Sequence, residues 1–355
     1  MTLRGAGRPG QRETISMVEL AGAVAPKPVR WGILGTARIA RQRIVPALQK
    51  SPSAVVAAVA SRSEDTARAF AEPFGIAKAY GSYEALIADP EIDAVYNALP
   101  NHLHLETTRA ALSHGKHVLV EKPIGMSRAE AVALKQVAGP LLVAEAFMIR
   151  HHPQWQRVGE IIASGRIGEV RMAQAFFSFL NVDPANIRNR PETGGGAMLD
   201  IGCYAICAAR TIFGGEPERV LALIDRDPAM KTDRTDTIIA DFGDGRQFSA
   251  MLSTQAFRHQ RIGIVGTLGR IEMPTPFSAP TDAISAFFVD VKGPGEAMEA
   301  VELPAVDQYQ LQVEAFSRAV AGTGPWQHGI DDAIANMAVL DALVRSERSG
   351  GFEAP

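Results

Sequence analysis

From Val29 onward, short apolar runs alternate with stretches in which apolar residues recur every three or four positions. Val29-Arg30-Trp31-Gly32-Ile33-Leu34 reads as a strand that passes through Gly35-Thr36-Ala37-Arg38-Ile39-Ala40 into a helix reaching about Gln49. A strand at Ala54 to Ala60 follows, then helices near Glu64 to Phe74 and Tyr83 to Ala88, a strand at Ala94 to Leu99 and a helix from Leu103 to Ser113. A strand at His117 to Val120, a helix from Arg128 to Val137 and a strand at Leu141 to Glu145 complete the series. Parallel strands need a crossover between them, so this alternation predicts an α/β unit with a doubly wound parallel sheet of the Rossmann kind.

After about Phe147 the rhythm changes. One helix, Trp155 to Ser164, precedes strand-like segments at Glu169 to Leu180, Arg219 to Ile224, Thr237 to Phe242, Gln247 to Thr254 and Arg261 to Gly266. Glycine-bearing turns such as Gly243-Asp244-Gly245 separate them, as expected of a mostly antiparallel sheet. Helices at Tyr309 to Ala321 and Asp331 to Arg345 close the chain. The expected organisation is a flexible arm at 1–28, a dinucleotide-binding domain at 29–147 and an α+β domain at 148–355, whose final helices pack back on the first. The second sheet is expected to leave an open apolar face, which predicts a homodimer or homotetramer through it.

Composition narrows the partners. With 46% apolar residues, 21% charged residues and a net charge of −3, nothing draws the chain to nucleic acid or to a membrane surface, and a small molecule is the expected partner. No run of about 18 apolar residues stands out as a span. The apolar part of the arm, Met17 to Ala25, is short and broken by Glu19, so no export signal is read and a cytoplasmic location is expected. Cys203 and Cys207, four apart, are too few for a disulfide framework and lack the other ligands of a zinc site; they read as small buried thiols, with no metal.

The turn after the first strand is a degenerate phosphate-binding fingerprint. Gly35 is in place, but Ala37 and Ala40 stand where the second and third glycines are usual. Thr36, Ala37, Arg38 and Ile39 would present backbone amides to a pyrophosphate at the helix N-terminus. At the end of the second strand, where an acidic residue would hold the ribose of NAD, the sequence has Ser61-Arg62-Ser63. An arginine between hydroxyls pairs with a 2′-phosphate, which points to NADP over NAD.

Three further segments bear on chemistry: Asn97-Ala98-Leu99-Pro100-Asn101-His102-Leu103-His104, Glu121-Lys122-Pro123, and the glycine run from Gly194 through Asp200 to Tyr204. The first two follow predicted parallel strands, at the edge where open α/β sheets bind ligands. In this order, and with Glu145 to Pro153 between them, the segments resemble the Gfo/Idh/MocA family of oxidoreductases over essentially Val29 to Arg345. The likeness is to the branch holding glucose-fructose oxidoreductase, NADP-dependent D-xylose dehydrogenase, 1,5-anhydro-D-fructose reductase and dihydrodiol dehydrogenase.

The resemblance implies that Lys122 meets the substrate hydroxyl beside the nicotinamide and that Asp200 orients the substrate. It places Leu99, Pro100, Asn101, His104 and Glu121 beside the cofactor, and Arg150 and His151 at the substrate. The family's Asp-x-Gly-x-His pattern is altered, because Tyr204 stands at the histidine position and Cys207 where an acid often follows. Hydride removal from a carbinol carbon requires a base for the hydroxyl proton. Tyrosine is a poor base unless a neighbouring ammonium such as Lys122 lowers its pKa; alternatively Lys122 deals with the substrate oxygen itself.

The expected activity is an aldose 1-dehydrogenase acting on a xylose- or glucose-like sugar with NADP. The rivals are a keto- or anhydro-sugar reductase, a trans-dihydrodiol dehydrogenase, a non-catalytic NADP-binding regulator on the same scaffold, and an enzyme whose cofactor stays bound beneath the N-terminal arm. Selectivity is assigned to loops such as Asn181 to Glu192.

Overall fold

The computed structural model describes residues 27–293 and 295–355, so most of the arm at 1–28 lies outside the described residues. The first layer contains β1 (Val29–Leu34), α1 (Val45–Lys50), β2 (Ala54–Ala60), α2 (Glu64–Ala71), β3 (Lys78–Tyr80), α3 (Tyr83–Ile87), β4 (Ala94–Asn97), α4 (His104–Ser113), β5 (His117–Val120), α5 (Arg128–Ala138) and β6 (Val143–Glu145). Its six strands are all parallel, in the order β3-β2-β1-β4-β5-β6. The order reverses between β1 and β4. That reversal opens a crevice at the C-terminal ends of the strands, where ligands bind in such sheets. β3 escapes the sequence pattern because its three residues, Lys78-Ala79-Tyr80, are half-buried and show no alternation.

The second layer contains α6 (Pro153–Ala163), β7 (Val170–Leu180), α7 (Cys203–Phe213), β8 (Arg219–Arg226), β9 (Asp233–Asp241), β10 (Gln247–Ser253), β11 (Gln255–Gly266), β12 (Arg270–Met273), β13 (Ser285–Asp290), β14 (Glu299–Leu303), α8 (Gln308–Val320) and α9 (Ile330–Ser349). Its eight strands run β14-β13-β12-β11-β7-β10-β9-β8, antiparallel except for the β7–β10 pair. β12 to β14 go beyond the sequence reading; they are short, and pairing outward from β11 rather than a long periodic run holds them.

Against one face of this sheet lies α7, whose residues from Cys203 to Arg210 are all buried. The longer helical run Pro191–Phe213 is long and apolar enough to cross a membrane by length and composition, and 78% of its most apolar window is buried inside the molecule.

The last two helices tie the layers together. Trp31 of β1 is fully buried, donates its Nε1–H to Ser317 Oγ of α8 at 3.0 Å, and sets its ring 5.4 Å from that of Phe316. α9 meets α5, where Arg128 N–H donates to Asp341 at 3.0 Å, and also meets β8, where Ala222 N–H donates to Ser346 Oγ at 3.0 Å.

Candidate active site

Gly35 has φ +88, and a Cβ there would approach Leu99 Cδ2 to 2.9 Å, so only glycine lets the β1 turn pass close to the β4 turn. The amides of Ala37, Arg38 and Ile39 precede the first hydrogen bond of the following helix, donated by Arg41 N–H to Ala37 O at 3.1 Å. As the first amides of a helical run they have no partner within it, the condition that suits an anion at a helix start. Ala40 is wholly within the core, so the methyl at the third glycine position packs inward and does not obstruct a phosphate. Ala37 is half-buried on the turn itself.

At the end of β2, Ser61 is buried and Arg62 exposed, next to Ser63, whose hydroxyl caps α2 through Thr66 N–H at 3.3 Å. Arg62 carries no ion pair among the described residues, and Tyr83 is its neighbour. A guanidinium without a carboxylate partner at the end of β2 fits a 2′-phosphate.

The loop after β4 is internally braced. The Asn97 amide donates to Thr107 and Thr108 hydroxyls at 2.8 and 3.1 Å, and its oxygen accepts Leu99 N–H at 3.3 Å. Pro100 leads to Asn101, which reaches across the cleft and donates to Gly194 O at 2.9 Å. His104, which the resemblance places beside the cofactor, sits at the start of α4. It is fully buried, with Nδ1 2.8 Å from Pro123 O and Nε2 2.7 Å from Leu99 O. Its ring therefore joins the loop after β4 to the loop after β5.

Lys122 follows β5 and crosses to the second domain. Its ammonium donates to Asp200 O at 2.8 Å and to Asp200 Oδ1 at 3.0 Å. The other carboxylate oxygen accepts from Arg188 Nε at 2.8 Å. Burial alone would raise the Asp200 pKa, but Lys122 and Arg188 overcome it and hold the carboxyl at about 2. Burial works most strongly against the Lys122 charge, but the Asp200 carboxylate, with Glu121 and other neighbours adding to it, turns the balance and leaves the amine above its ordinary range. At neutral pH the site thus holds an ammonium, a carboxylate and a guanidinium. Glu121, next in sequence, is pushed up by burial; it accepts from the Tyr96 hydroxyl and from Lys122 N–H.

Tyr204 corrects one expectation. The Lys122 ammonium lies over the face of its ring, 5.0 Å from the centroid, not beside its hydroxyl. The hydroxyl points to Met148 Sδ at 3.3 Å, among the rings of Phe147, Phe177 and Phe277. Burial therefore drives the phenol well above its ordinary pKa, where a nearby cation was expected to lower it. The arrangement is a cation–π contact.

Arg150 and His151 also depart from the substrate positions that the resemblance implied. Arg150 is bound on both sides, by the Asp332 carboxylate and by Cys207 Sγ at 3.0 Å, with its side chain only 7% exposed. His151 stacks on Trp326 at 5.2 Å. Both belong to the joint between the turn after β6 and the C-terminal helices. Cys203 and Cys207 are buried free thiols, as read from the sequence, and no group of three or more metal-ligating side chains occurs among the described residues.

Arg188 escapes the sequence reading. It stands in the Asn181–Glu192 loop as one of two arginines, with Arg190, and no periodicity singles it out. Its position is nevertheless firm: Arg188 O accepts Gly196 N–H at 2.8 Å, and a Cβ on Gly195 would sit 2.5 Å from that same oxygen. The bare Cα of Gly195 lets this loop lie directly on the glycine run.

A parallel sheet with an anion-ready turn and a lysine after β5, met by the Asp200 carboxylate from the helical run before α7, defines a nicotinamide-dependent oxidoreductase. The chain belongs to the Gfo/Idh/MocA family. Residues 29–140 match its "Oxidoreductase family, NAD-binding Rossmann fold" and residues 155–272 its "GFO/IDH/MocA C-terminal domain". An uncharacterised oxidoreductase of Rhizobium meliloti is 41% identical, over 92% of this chain and 98% of its own. The NADP-dependent D-xylose 1-dehydrogenase 2 of Haloferax volcanii is 38% identical, over 90% of this chain and 98% of its own. Among solved structures, a 3-ketoreductase from Actinomadura kijaniata in complex with NADP and TDP-benzene superimposes with a TM-score of 0.84 at 33% identity, covering 90% of this chain and 98% of its own.

Proposed function

We propose that this oxidoreductase uses NADP and acts at a carbinol carbon of a sugar, as an aldose 1-dehydrogenase that yields a lactone. The observation that carries the reading is the Lys122–Asp200–Arg188 constellation at the carboxyl edge of the parallel sheet. NADP would lie along the Gly35 turn with its 2′-phosphate at Arg62, and when bound it accepts or supplies the hydride. Lys122 holds the substrate oxygen and exchanges its proton. Asp200 fixes the lysine, and Arg188 fixes Asp200 while presenting its remaining N–H groups to substrate oxygens. The xylose dehydrogenase relative supports the substrate class.

One observation favours a second reading, the reduction of a keto-sugar. Lys122 rests as an ammonium, the form that donates a proton to a carbonyl oxygen. The sign for pH follows. Oxidation needs the neutral amine, so its kcat is expected to rise with pH above neutrality; reduction needs the ammonium and is expected to stay level until the amine titrates. The deciding experiment is nicotinamide absorbance with NADP or NAD against a panel of aldoses, polyols and trans-dihydrodiols, and with NADPH against keto-sugars. Turnover of aldoses with NADP is the expected result, and silence across both panels with NADP bound would end the catalytic reading.

The outer face of the second sheet supports a homodimer. Leu223, Thr237, Met251, Phe176 and Arg261 lie in register across β8, β9, β10, β7 and β11, with Leu223 74% and Met251 46% exposed. A second copy laid on this face would cover it. Light scattering is expected to give a dimer or tetramer, and Met251→Asp with Leu223→Asp to shift it toward monomer. A wild-type monomer at micromolar concentration would remove the interface.

A further inference from the structure

The helical run that carries Asp200 and Tyr204 starts at Met198, and its first amide is held from another strand. Met198 N–H donates to Asp233 Oδ2 of β9 at 2.6 Å. Gly196, at φ +119, lies so close that a Cβ there would be 2.0 Å from Asp233 Oδ1. Asp200 N–H in turn donates to Gly196 O at 3.2 Å. The Asp233 carboxylate thus binds the Met198 amide and packs directly against Gly196 where the run to Asp200 begins, and its charge suits the helix N-terminus.

A second carboxyl lies beside it with no role in the chemistry described above. Asp236 is fully buried, and neither of its oxygens meets an N–H or O–H donor among the described residues. Its strand neighbours are Ile224 of β8 and Leu252 of β10. The charged groups facing the pair are Asp233 itself, Arg226 of β8 and Glu347 of α9. Arg226 is already bound bidentately by Glu347, at 2.8 and 2.6 Å, and comes only to 3.8 Å of Asp233 Oδ1. Two carboxylates in one buried site, with a single guanidinium already engaged elsewhere, cannot both ionise. Burial, and then the Asp233 charge, push Asp236 up to about 9.

We propose that Asp236 keeps its proton and donates it to the Asp233 carboxylate, and that this proton-sharing pair is the positioning element that holds Asp200, and through it Lys122, in the cleft. The proposal rests on the reading of Asp200 and Lys122 as the site, so its test has an arm that does not depend on turnover.

The first arm is thermal unfolding of the full chain against pH, wild type beside Asp236→Asn. A folded-state pKa above the unfolded value means that the native pair keeps a proton the unfolded chain releases. The stability so conferred is complete below about pH 4 and is lost as pH rises toward 9. The amide introduced by Asp236→Asn donates without titrating, so the Tm of the variant is expected to gain on wild type across that window and then run parallel. Curves parallel throughout would overturn the shared proton.

The second arm reads position. The labelling rate of Lys122 by an amine acylating reagent, mapped by mass spectrometry against exposed Lys135, is expected to rise at least about threefold in Asp233→Ala. It should rise less in Asp233→Asn, which keeps an acceptor for Met198 N–H, and stay at the wild-type rate in Asp236→Asn. If Asp233→Ala does not fold, Asp233→Asn carries the test. A Lys122 rate unchanged in each folded Asp233 variant would overturn the positioning role. Once a substrate is in hand, the same Asp233 variants are expected to lower kcat with NADP affinity unchanged, and a loss confined to NADP affinity would also count against it.

Discussion

Lys122→Ala is expected to lower kcat by about a hundredfold to ten-thousandfold, the range for losing a positioned proton donor or acceptor, with NADP affinity close to wild type. Among the described residues the lysine is the only ammonium donating to Asp200, and that carboxylate is the foremost of the neighbours that keep it charged despite burial. Removing it leaves the substrate oxygen without a proton partner and leaves Asp200 with Arg188 alone. Steady-state kinetics beside a fluorescence titration with NADPH separates the two quantities. The partner measurement is Tyr204→Phe, whose hydroxyl has Met148 Sδ as its hydrogen-bonding contact among the described residues. It is expected to cost about tenfold or less. If the phenylalanine variant lost as much as the alanine variant, the tyrosine hydroxyl would have to leave its place among the phenylalanines and take the proton itself, and the assignment to Lys122 would fall.

Arg62→Ala is expected to weaken NADP binding by about tenfold to a hundredfold, the worth of a charge-assisted bond from guanidinium to phosphate, while NAD binding moves little. Arg62 is exposed and has no carboxylate partner among the described residues, so its removal leaves no orphaned group and should not disturb the fold. Titration calorimetry with both nucleotides checks it. Equal losses for NADP and NAD would show that Arg62 does not read the 2′-phosphate.

Much of this architecture is written in local pattern. β2 and β5 lie at their expected bounds, and most other strands and helices of the first layer fall close to theirs, because each is a short apolar run or a helix opened by a capping serine such as Ser63, Ser82 or Ser127. Lys122 and Asp200 are legible because they sit in short motifs at ends of elements. What stays hidden depends on contacts far apart in sequence. Arg188 is a loop arginine until the glycine run is laid against it. The pKa of Tyr204 turns on whether Lys122 meets its ring or its hydroxyl, a matter of a few ångströms that spacing along the chain does not encode. Arg150 reads as a cleft residue until Asp332, 182 positions later, arrives to bind it. Asp236 sits in an alternating strand, and only the enclosure by β8, β10 and α9 makes its carboxyl unusual.

The bond between Trp31 and Ser317 spans 286 positions. On the ribosome, the parallel sheet emerges first, yet the apolar face around Trp31 stays uncovered until Val313 and Phe316 of α8 have been made. The amino-terminal half is therefore expected to complete its core only when the carboxyl end has been made. Nascent chains stalled just before Gln308 should remain protease-sensitive throughout, and the molecule should refold in one cooperative transition instead of two.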